Sequence, residues 1–240
     1  MKAIILAAGK GTRIKQLSEK TNKCLLKIKG KSIIEYNLDS ISNLNISEII
    51  IVVGYKKDRI IKKYGSKYNK IKIRYVEQNK QKGLVNAIAE CQSWVDDNFF
   101  LLLGDEFFYK PDHKGMLFKF KELKIFGLCG VVEEKNIRKI SQTYTICYDN
   151  DMKIIKAVEK PKIPFNNYMG TGSCIFNKDL FNYIESTPVN PKRKQKELPS
   201  LIQCAINDGH IIQPYTIANR YFNINSKNDL DDVIDFSESM

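Results

Sequence analysis

An apolar run that ends in a glycine-rich turn opens the chain, and it limits the fold more than any other feature. Residues 3–8 read AIILAA, and Gly9, Lys10 and Gly11 follow at once. A short, continuous apolar run of this kind predicts a buried strand. The glycines allow the backbone to turn sharply and to come close to a ligand. The lysines that follow, at positions 15, 20, 23, 27, 29 and 31, indicate that this ligand is an anion, most often a phosphate.

Strand-like and helix-like segments alternate through the first half of the chain. The predicted elements are, in order, a strand at 48–54, a helix at 57–65, a strand at 72–78, a helix at 83–95 and a strand at 99–105. This order predicts an α/β, Rossmann-like fold in which a mixed, mostly parallel central sheet is flanked by helices. Ligands bind beyond the carboxyl ends of such strands. We therefore expect the glycine turn and Asp105 to face one cleft.

After residue 125 the pattern changes to strands with few helices between them. The predicted strands are 126–133, 143–149, 153–161, 172–176, 210–217 and 220–224, and the predicted helices are 178–186, 197–208 and 227–237. The sequence shows no repeat, no low-complexity tract and no obvious linker. We therefore predict a single domain over residues 1–240, whose second half completes the sheet and builds a substrate lobe.

Basic residues outnumber acidic ones, with 39 Lys and Arg against 27 Asp and Glu and a net charge of +12. A polyanionic partner is one interpretation of this charge. A solvated, lysine-rich surface is the other, and we favour it. No Lys/Arg run is interleaved with aromatic residues in the way that single-strand nucleic-acid binders need. The densest basic stretch, PKRKQK at 191–196, is predicted to be a loop, so nucleic acid is not an expected partner.

Membrane and redox functions receive no support from the sequence. No apolar run approaches the ~20 residues that a membrane span needs. The N-terminal AIILAA is too short, and too soon followed by charge, to be a signal peptide. The six cysteines contain no C-x-x-C pair, which argues against a zinc site and for reduced, mostly buried thiols. We expect a cytoplasmic protein without a membrane partner, and the sequence leaves homo-oligomer formation open.

Two common phosphate-binding motifs do not fit the glycine turn. A Rossmann fingerprint needs G-x-G-x-x-G, and position 14 is isoleucine where the third glycine belongs. A P-loop needs G-x-x-x-x-G-K-[ST]; GKS occurs at 30–32, but position 25 is leucine. A plain tight turn would explain the glycines but not the longer pattern around them.

That longer pattern, LAAGKGTRIKQLSEKTNKCLLKIKGKSII at 6–34, resembles the signature of the sugar-phosphate nucleotidyltransferases, the nucleotide-sugar pyrophosphorylases similar to glucose-1-phosphate thymidylyltransferase. Further matches follow in the family's order: EQNKQKGLVNAI (77–88), LLLGD (101–105), VEKP (158–161), MGTGSCIF (169–176) and FNINSKNDL (222–230). The resemblance spans nearly the whole chain. It implies a GT-A-type fold in which residues 1–125 bind a nucleotide and residues 126–240 bind an acceptor.

The family's reaction is attack by an oxygen of a sugar-1-phosphate on the α-phosphate of a nucleoside triphosphate. The resemblance therefore implies a Mg²⁺-dependent nucleotidyltransferase with these two substrates, and it favours dTTP or UTP. Such a step needs two anions held in line and their charge neutralised. The resemblance implies catalytic cations at Arg13 and Lys23, nucleotide contacts from Leu6, Ala8, Gly9, Gly11, Thr12, Gln78 and Gly83, acceptor contacts from Glu159, Lys160 and Gly172, and Mg²⁺ ligands at Asp105 and Asn223.

Several positions depart from the family's pattern. Asn22 stands where a proline usually precedes the lysine, and Gln16 and Ser32 replace two further prolines. Asn223 stands where the family usually has a second metal-binding aspartate, and a neutral amide is a weaker Mg²⁺ ligand than a carboxylate. Tyr144 falls near a position that is glycine in many sugar-specific members. The identity of the acceptor is therefore left open.

Two other functions remain as alternatives. One is a cytidylyltransferase for a non-sugar phosphate such as phosphocholine or a phosphonate, and the other is a non-catalytic regulator with the same fold. The presence of Arg13, Lys23, Asp105 and Lys160 argues against the regulator. A product assay with a panel of triphosphates and acceptors separates the two kinds of enzyme.

Overall fold

The computed structural model describes residues 1–11 and 21–239. The strands in this part of the chain are β1 (Lys2–Leu6), β2 (Lys27–Ile28), β3 (Lys31–Ser32), β4 (Glu48–Val53), β5 (Lys67–Tyr68), β6 (Ile71–Glu77), β7 (Phe99–Leu103), β8 (Glu106–Tyr109), β9 (Gly127–Glu133), β10 (Tyr144–Tyr148), β11 (Ile154–Glu159), β12 (Tyr168–Phe176), β13 (Val189–Asn190), β14 (Gln195–Lys196), β15 (Ile212–Thr216) and β16 (Arg220–Asn223). The helices are α1 (Ile33–Ser42), α2 (Lys57–Tyr64), α3 (Leu84–Ala89), α4 (His113–Leu123), α5 (Ile137–Ile140), α6 (Leu198–Asn207) and α7 (Lys227–Glu238).

The main sheet has the strand order β11-β10-β12-β7-β1-β4-β6-β5, with β9 pairing with β12 and β15 pairing with β9. β1 lies between β4 and β7, and both neighbours run parallel to it. Leu6, the last residue of β1, lies opposite both Val52 and Leu103. The turns that follow β1 and β7 therefore leave the sheet side by side. The predicted mixed, mostly parallel central sheet flanked by helices is confirmed.

The second half of the chain joins this sheet through β12. The C-terminal part of β12 pairs antiparallel with β7, so Cys174 lies opposite Leu101. The N-terminal part pairs with β10, and the register of β12 against β9 shifts between Gly170 and Cys174. This irregularity lies where β12 passes the carboxyl end of β7. It brings the middle of β12 to the same end of the sheet as the glycine turn.

Helices cover both faces of the sheet because its strands alternate their apolar side chains between two cores. Ile4 and Leu6 point into one core, where α3 and α6 pack. Ala3 and Ile5 point into the other, where α1, α2 and α4 pack. Burying one Phe or Ile side chain contributes about 1.5–3 kcal/mol, so the fully buried Phe99 of β7 is a large contributor to stability.

A smaller apolar cluster lies at one side of the sheet and attaches the C-terminal helix. The antiparallel pair of β8 and β16 places Phe107 opposite Phe222. Leu230 and Val233 of α7 pack against this pair together with Leu26, which follows Lys23 by three residues. The C-terminal helix therefore buttresses the segment that carries the predicted catalytic lysine.

The helices differ from the sequence predictions in a few places. The patterns do not predict α1 or α4. The helix predicted at 178–186 is a shorter 3-10 helix over Lys178–Tyr183. The helix predicted at 83–95 is α3 followed by a 3-10 turn over Gln92–Trp94.

A side chain from α6 contacts the outer edge of β11. The Ala157 N–H donates to Gln203 Oε1 at 3.0 Å, and Gln203 Nε2 donates to the Ile155 carbonyl at 3.3 Å. β11 pairs with β10 on its other side. The amide of Gln203 therefore satisfies backbone groups that no neighbouring strand reaches within the described residues.

None of the helices described in residues 1–11 and 21–239 is both long enough and apolar enough to cross a membrane.

Candidate functional site

A cleft of about 410 Å³ lies at the carboxyl ends of β1 and β7, and both halves of the chain line it. The residues predicted from sequence that line this cleft are Gly9, Gly11, Lys23, Asp105, Glu159, Lys160, Gly172 and Asn223. The glycine turn and Asp105 thus face one cleft, as the strand order predicts.

Six further predicted residues, Gln78 and Gly83 among them, either lie away from the cleft lining or fall outside the described part of the chain. Leu6, the last residue of β1, and Ala8, two residues beyond it, are both buried. The Ala8 carbonyl accepts from the side-chain amide of Gln81 at 2.8 Å. The positions of Thr12 and Arg13 fall outside residues 1–11 and 21–239. Their predicted roles remain predictions.

Lys23 lies at the base of the cleft, and its side chain is 10% exposed. It begins a 3-10 helix over Lys23–Leu25. Its ammonium group forms an ion pair with the carboxylate of Asp105 and lies 3.4 Å from Asn225 Oδ1. The cation is therefore held at a fixed place by oxygen atoms, where it can meet an incoming phosphate.

The turn after β7 brings Asp105 to Lys23. The Gly104 N–H donates to the Leu6 carbonyl at 2.9 Å, so this turn lies against the end of β1. A Cβ atom on Gly104 would lie 3.0 Å from Cys24 Sγ and 3.1 Å from the Leu6 carbonyl oxygen. The absence of a side chain at this position allows the Asp105 turn and the Lys23 helix to pack closely.

Asn223 reaches the same place from the second half of the chain. It is the last residue of β16 and lies opposite Glu106 in the ladder with β8. The N–H of Ile224 donates to the Asp105 carbonyl at 3.3 Å. The described residues hold no group of three or more His, Cys, Asp or Glu side chains that could bind a metal ion. A cation bound here would therefore combine Asp105 with neutral oxygen donors.

Glu106 is a buried acid that the sequence patterns do not single out. Both of its carboxyl oxygens accept from the Gly172 N–H at 3.0 Å, and the hydroxyl of Tyr221 donates to Oε1 at 2.5 Å. Burial, reinforced by the nearby Asp105, raises the pKa of Glu106 to about 8. The raised pKa favours the neutral form of Glu106, and its hydrogen bonds tie β12 and β16 together beneath the cleft.

A charged cluster from the second half lines the opposite part of the cleft. Arg193 NH1 donates to Glu159 Oε1 at 2.6 Å and lies 3.1 Å from Glu197 Oε1. Arg193 belongs to the turn between β13 and β14. Burial, reinforced by the negative charge of Glu197, raises the pKa of Glu159 to about 7. Lys160 lines the cleft beside this cluster, and its backbone N–H donates to the Thr143 carbonyl at 2.6 Å.

Tyr144 forms part of the floor near this cluster. It is buried, lines the cleft, and donates its hydroxyl to the Thr171 carbonyl at 3.0 Å. A Cβ atom on Gly170 would lie 2.2 Å from the Tyr144 ring. The ring therefore fills the space that a side chain at position 170 would need, and it sets the size of the cleft at this point.

Gln78 and Gly83 contact one another and are not themselves among the lining residues of the cleft, although Gly83 directly precedes the lining residue Leu84. The buried Gln78 donates its amide hydrogens to the Gly83 carbonyl and to Asn86 Oδ1, each at 3.0 Å. Gly83 has φ +99°, a conformation that favours glycine, and a Cβ there would lie 2.7 Å from Gln195 Cβ. Gly83, a predicted nucleotide contact, therefore packs directly on the β13–β14 hairpin, which carries Arg193.

The cleft contains several polar residues to which the sequence predictions assigned no role. These residues are Glu106, Arg193, Gln195, Glu197, Tyr221 and Asn225. Arg193 lies in the basic stretch predicted to be a loop, and Asn225 lies in the FNINSKNDL match. The basic stretch marked Arg193 by its charge alone, and nothing in the local sequence points to Glu106 or Tyr221.

Comparison with known proteins gives matches along nearly the whole chain. The profile of the family described as "Nucleotidyl transferase" matches residues 2–220. The UTP–glucose-1-phosphate uridylyltransferase AglF of Haloferax volcanii is 32% identical over 234 residues, which cover 97% of this chain and 94% of that protein. The bifunctional protein GlmU of Methanocaldococcus jannaschii is 29% identical over 208 residues, 87% of this chain but 47% of GlmU.

A solved structure shares the fold. It is a Bacillus anthracis protein assigned as a glucose-1-phosphate thymidylyltransferase, in complex with a sucrose. It superposes with a TM-score of 0.88 over 100% of this chain and 96% of that chain, at 23% identity. At this identity the likeness concerns the fold alone.

Proposed function

Because the chain belongs to the nucleotidyl transferase family, we propose that it transfers a uridylyl or thymidylyl group from UTP or dTTP to a sugar-1-phosphate. The observation that carries this proposal is the pairing of two charged clusters in one cleft. Lys23 with Asp105 comes from the first half, and Arg193 with Glu159 comes from the second. The AglF likeness supports a glucose-1-phosphate type of acceptor.

The two clusters match the two anions of the reaction. Lys23, next to the glycine turn, meets the triphosphate, and the exposed Gly9 leaves room for it. Arg193 and Lys160 bind the phosphate of the acceptor. An oxygen of that phosphate forms a bond to the α-phosphorus, the bond from this phosphorus to the bridging oxygen breaks, and pyrophosphate leaves. The protein's contribution is to hold these groups in line and to offset their charge.

The residues at the Lys23 end fit a bound Mg²⁺. Asp105 offers a carboxylate, and Asn223 and Asn225 offer amide oxygens, which are the hard donors this ion prefers. When bound, Mg²⁺ would neutralise charge on the triphosphate. Asp105 would then exchange its ion pair with Lys23 for the metal, which leaves the Lys23 ammonium available to the phosphates.

The amide of Gln78 supports a preference for uracil or thymine. Its NH₂ group donates both hydrogens, one to the Gly83 carbonyl and one to Asn86 Oδ1. Because a carbonyl can only accept a hydrogen bond, the group that faces Gly83 must be the NH₂. Oε1 is therefore the atom left to meet a base. Uracil and thymine present an N–H donor at N3, whereas cytosine presents an acceptor there. We expect UTP and dTTP to be used in preference to CTP.

The decisive experiment measures pyrophosphate release across pairs of substrates. UTP, dTTP, CTP, ATP and GTP are each combined with glucose-1-phosphate, other sugar-1-phosphates and phosphocholine. The proposal expects the highest kcat/KM for UTP or dTTP with a sugar-1-phosphate. Turnover with CTP and phosphocholine alone, or with no pair at all, contradicts it.

Replacing Asn223 by aspartate tests its part in metal binding. The new carboxylate has nearly the shape of the amide but adds a negative charge. We expect the Asn223→Asp variant to reach its half-maximal rate at a lower Mg²⁺ concentration. If Asn223 instead donates its NH₂ to the acceptor, the aspartate repels the anionic substrate. A raised acceptor KM with an unchanged Mg²⁺ titration would therefore rule out the metal-binding role.

The raised pKa of Glu159 predicts a pH dependence of acceptor use. With a pKa of about 7, this carboxyl is mostly protonated at pH 6 and mostly ionised at pH 8. When the Glu159 carboxyl is ionised, it accepts hydrogen bonds from sugar hydroxyls that are stronger by ~1 kcal/mol than those it accepts when it is neutral. We expect kcat/KM for the acceptor to rise on the order of fivefold from pH 6 to 8, with the inflection near 7. The Glu159→Gln variant should lose this rise. An unchanged pH profile in the variant would mean that another group causes the rise.

A further inference from the structure

Asn22 is fully buried beside Lys23, and its side chain makes hydrogen bonds to three separate backbone positions. Its Nδ2 donates to the Ala7 carbonyl at 3.1 Å and to the Tyr55 carbonyl at 2.8 Å. Its Oδ1 accepts from the Cys24 N–H at 2.9 Å. The first of these partners lies just after β1, the second just after β4, and the third in the helix that Lys23 begins.

These contacts join the chain segments that follow two neighbouring strands. β1 and β4 end at Leu6 and Val53, and backbone hydrogen bonds run from the Ala7 N–H to the Val52 carbonyl at 2.8 Å and from the Tyr55 N–H to the Ala8 carbonyl at 3.2 Å. The Asn22 amide adds a bridge between the carbonyls of Ala7 and Tyr55. The amide oxygen at the other side caps the 3-10 helix. The backbone next to Lys23 is therefore tied to the two strand ends that border the glycine turn. Lys23 itself extends from this anchored backbone to Asp105.

The backbone of Asn22 has a conformation that proline favours. Its φ is −70° and its ψ is 141°, and a proline ring fixes φ near −65°. Among residues 1–11 and 21–239, no hydrogen bond acceptor is recorded for the Asn22 backbone N–H. A proline at this position would therefore keep the same chain path without the side-chain hydrogen bonds.

We propose that Asn22 is the positioning residue of Lys23, and that its amide fixes by hydrogen bonds the backbone path that a proline ring would fix covalently. The expected effect of Asn22 on the rate rests on the proposed function. The geometry itself, an anchored lysine paired with Asp105, does not depend on which substrates are used.

The kinetic test compares Asn22→Ala with Asn22→Pro, using UTP and glucose-1-phosphate. The alanine variant loses the anchor, and a shift of about 1 Å in a catalytic group can cost about 100-fold in rate. We expect kcat to fall 10- to 100-fold in Asn22→Ala, with a smaller change in the acceptor KM. The proline variant should recover kcat to within about threefold of the wild type.

Asn177 provides a matched control. It also caps a 3-10 helix, with φ −63° and ψ 145°, and accepts from the Asp179 N–H at 2.9 Å, but the lysine that follows it, Lys178, does not line the cleft, whereas Lys23 does. Asn177→Ala should leave kcat unchanged. A purely structural role for Asn22 would lower the melting temperature of Asn22→Ala while leaving kcat unchanged, and this result overturns the proposal. Equal loss of kcat in the alanine and proline variants also overturns it.

A second measurement does not require turnover. Acetic anhydride modifies accessible amines, and mass spectrometry reports the modification of Lys23 relative to Lys31. We expect faster modification of Lys23 in Asn22→Ala and wild-type rates in Asn22→Pro and Asn177→Ala. If the proline variant does not fold, the Asn22→Ser variant serves as the test of the proposal. Serine can still cap the 3-10 helix with its side-chain oxygen, but it lacks the amide N–H groups that bond to the Ala7 and Tyr55 carbonyls. Faster modification in this variant supports the proposal, and a wild-type rate contradicts it. This measurement remains valid even if the proposed substrates prove wrong.

Discussion

The Lys23→Ala variant is expected to fold normally and to lose at least ~10²-fold in turnover, a typical loss for one donor that stabilises a transition state. Lys23 is nearly buried in the cleft and is held by Asp105 and Asn225. A charged hydrogen bond to phosphate contributes ~1.5–3 kcal/mol, and more if it strengthens as pyrophosphate departs. Steady-state kinetics with the preferred substrate pair, together with a melting curve, measure the effect.

The Lys31–Asp39 ion pair offers a matched control for this variant. Lys31 also pairs with an aspartate, but neither residue lines the cleft. Lys31→Ala should keep wild-type turnover. A folded Lys23→Ala variant with the same turnover as Lys31→Ala would remove Lys23 from the catalytic site.

Asp105→Asn is expected to abolish activity, and the wild type is expected to require Mg²⁺ or a similar divalent ion. Asp105 is the cleft carboxylate that pairs with Lys23, and its side chain is 26% exposed, so it is accessible to a cation. An amide of the same shape keeps the hydrogen bond to Lys23 but cannot neutralise a metal ion. Pyrophosphate release is measured against Mg²⁺ concentration for both proteins, and Asp39→Asn serves as the control.

Activity that survives saturating EDTA in the wild type would refute this account of charge neutralisation. Activity in Asp105→Asn that returns only at high Mg²⁺ would mean that Asp105 tightens metal binding without being essential. In that case the remaining oxygen donors, Asn223 among them, would hold the ion, and the Asn223→Asp variant would identify which donor does so.

The parallel part of the fold could be predicted from sequence because its strands are buried on both faces. Continuous apolar runs such as FFLLL at 99–103, followed at once by Gly104 and Asp105, predict short buried strands. The helix α4 was not predicted, although Met116 and Phe120 are spaced for a helix, because Gly115 and the exposed Phe118 weaken its pattern. The ladder between β8 and β16 joins residues more than 100 positions apart, and local patterns carry no information about such pairs.

In the candidate site, too, local motifs identify some residues and miss those whose contacts are distant in sequence. The ordered motifs identify Lys23 and Asp105, which the structure places in contact. They do not identify Arg193, whose ion pair with Glu159 spans 34 residues of sequence. The raised pKa of Glu106 follows from burial, which depends on the packing of the whole chain. Sequence motifs therefore identify candidate residues such as Lys23 and Asp105, whose residue type is itself the signal. They miss residues such as Arg193 and Glu106, whose contacts and burial depend on distant parts of the chain.

The Gln203 amide at the edge of β11 has a consequence for association between chains. A strand edge is a template on which another polypeptide can add, and exposed apolar side chains make that addition more favourable. Ile155, within β11, is 52% exposed. Because Gln203 already occupies the N–H of Ala157 and the carbonyl of Ile155, a foreign strand would have to displace it before pairing. The glutamine thus protects the strand that ends in Glu159 from being extended into an aggregate.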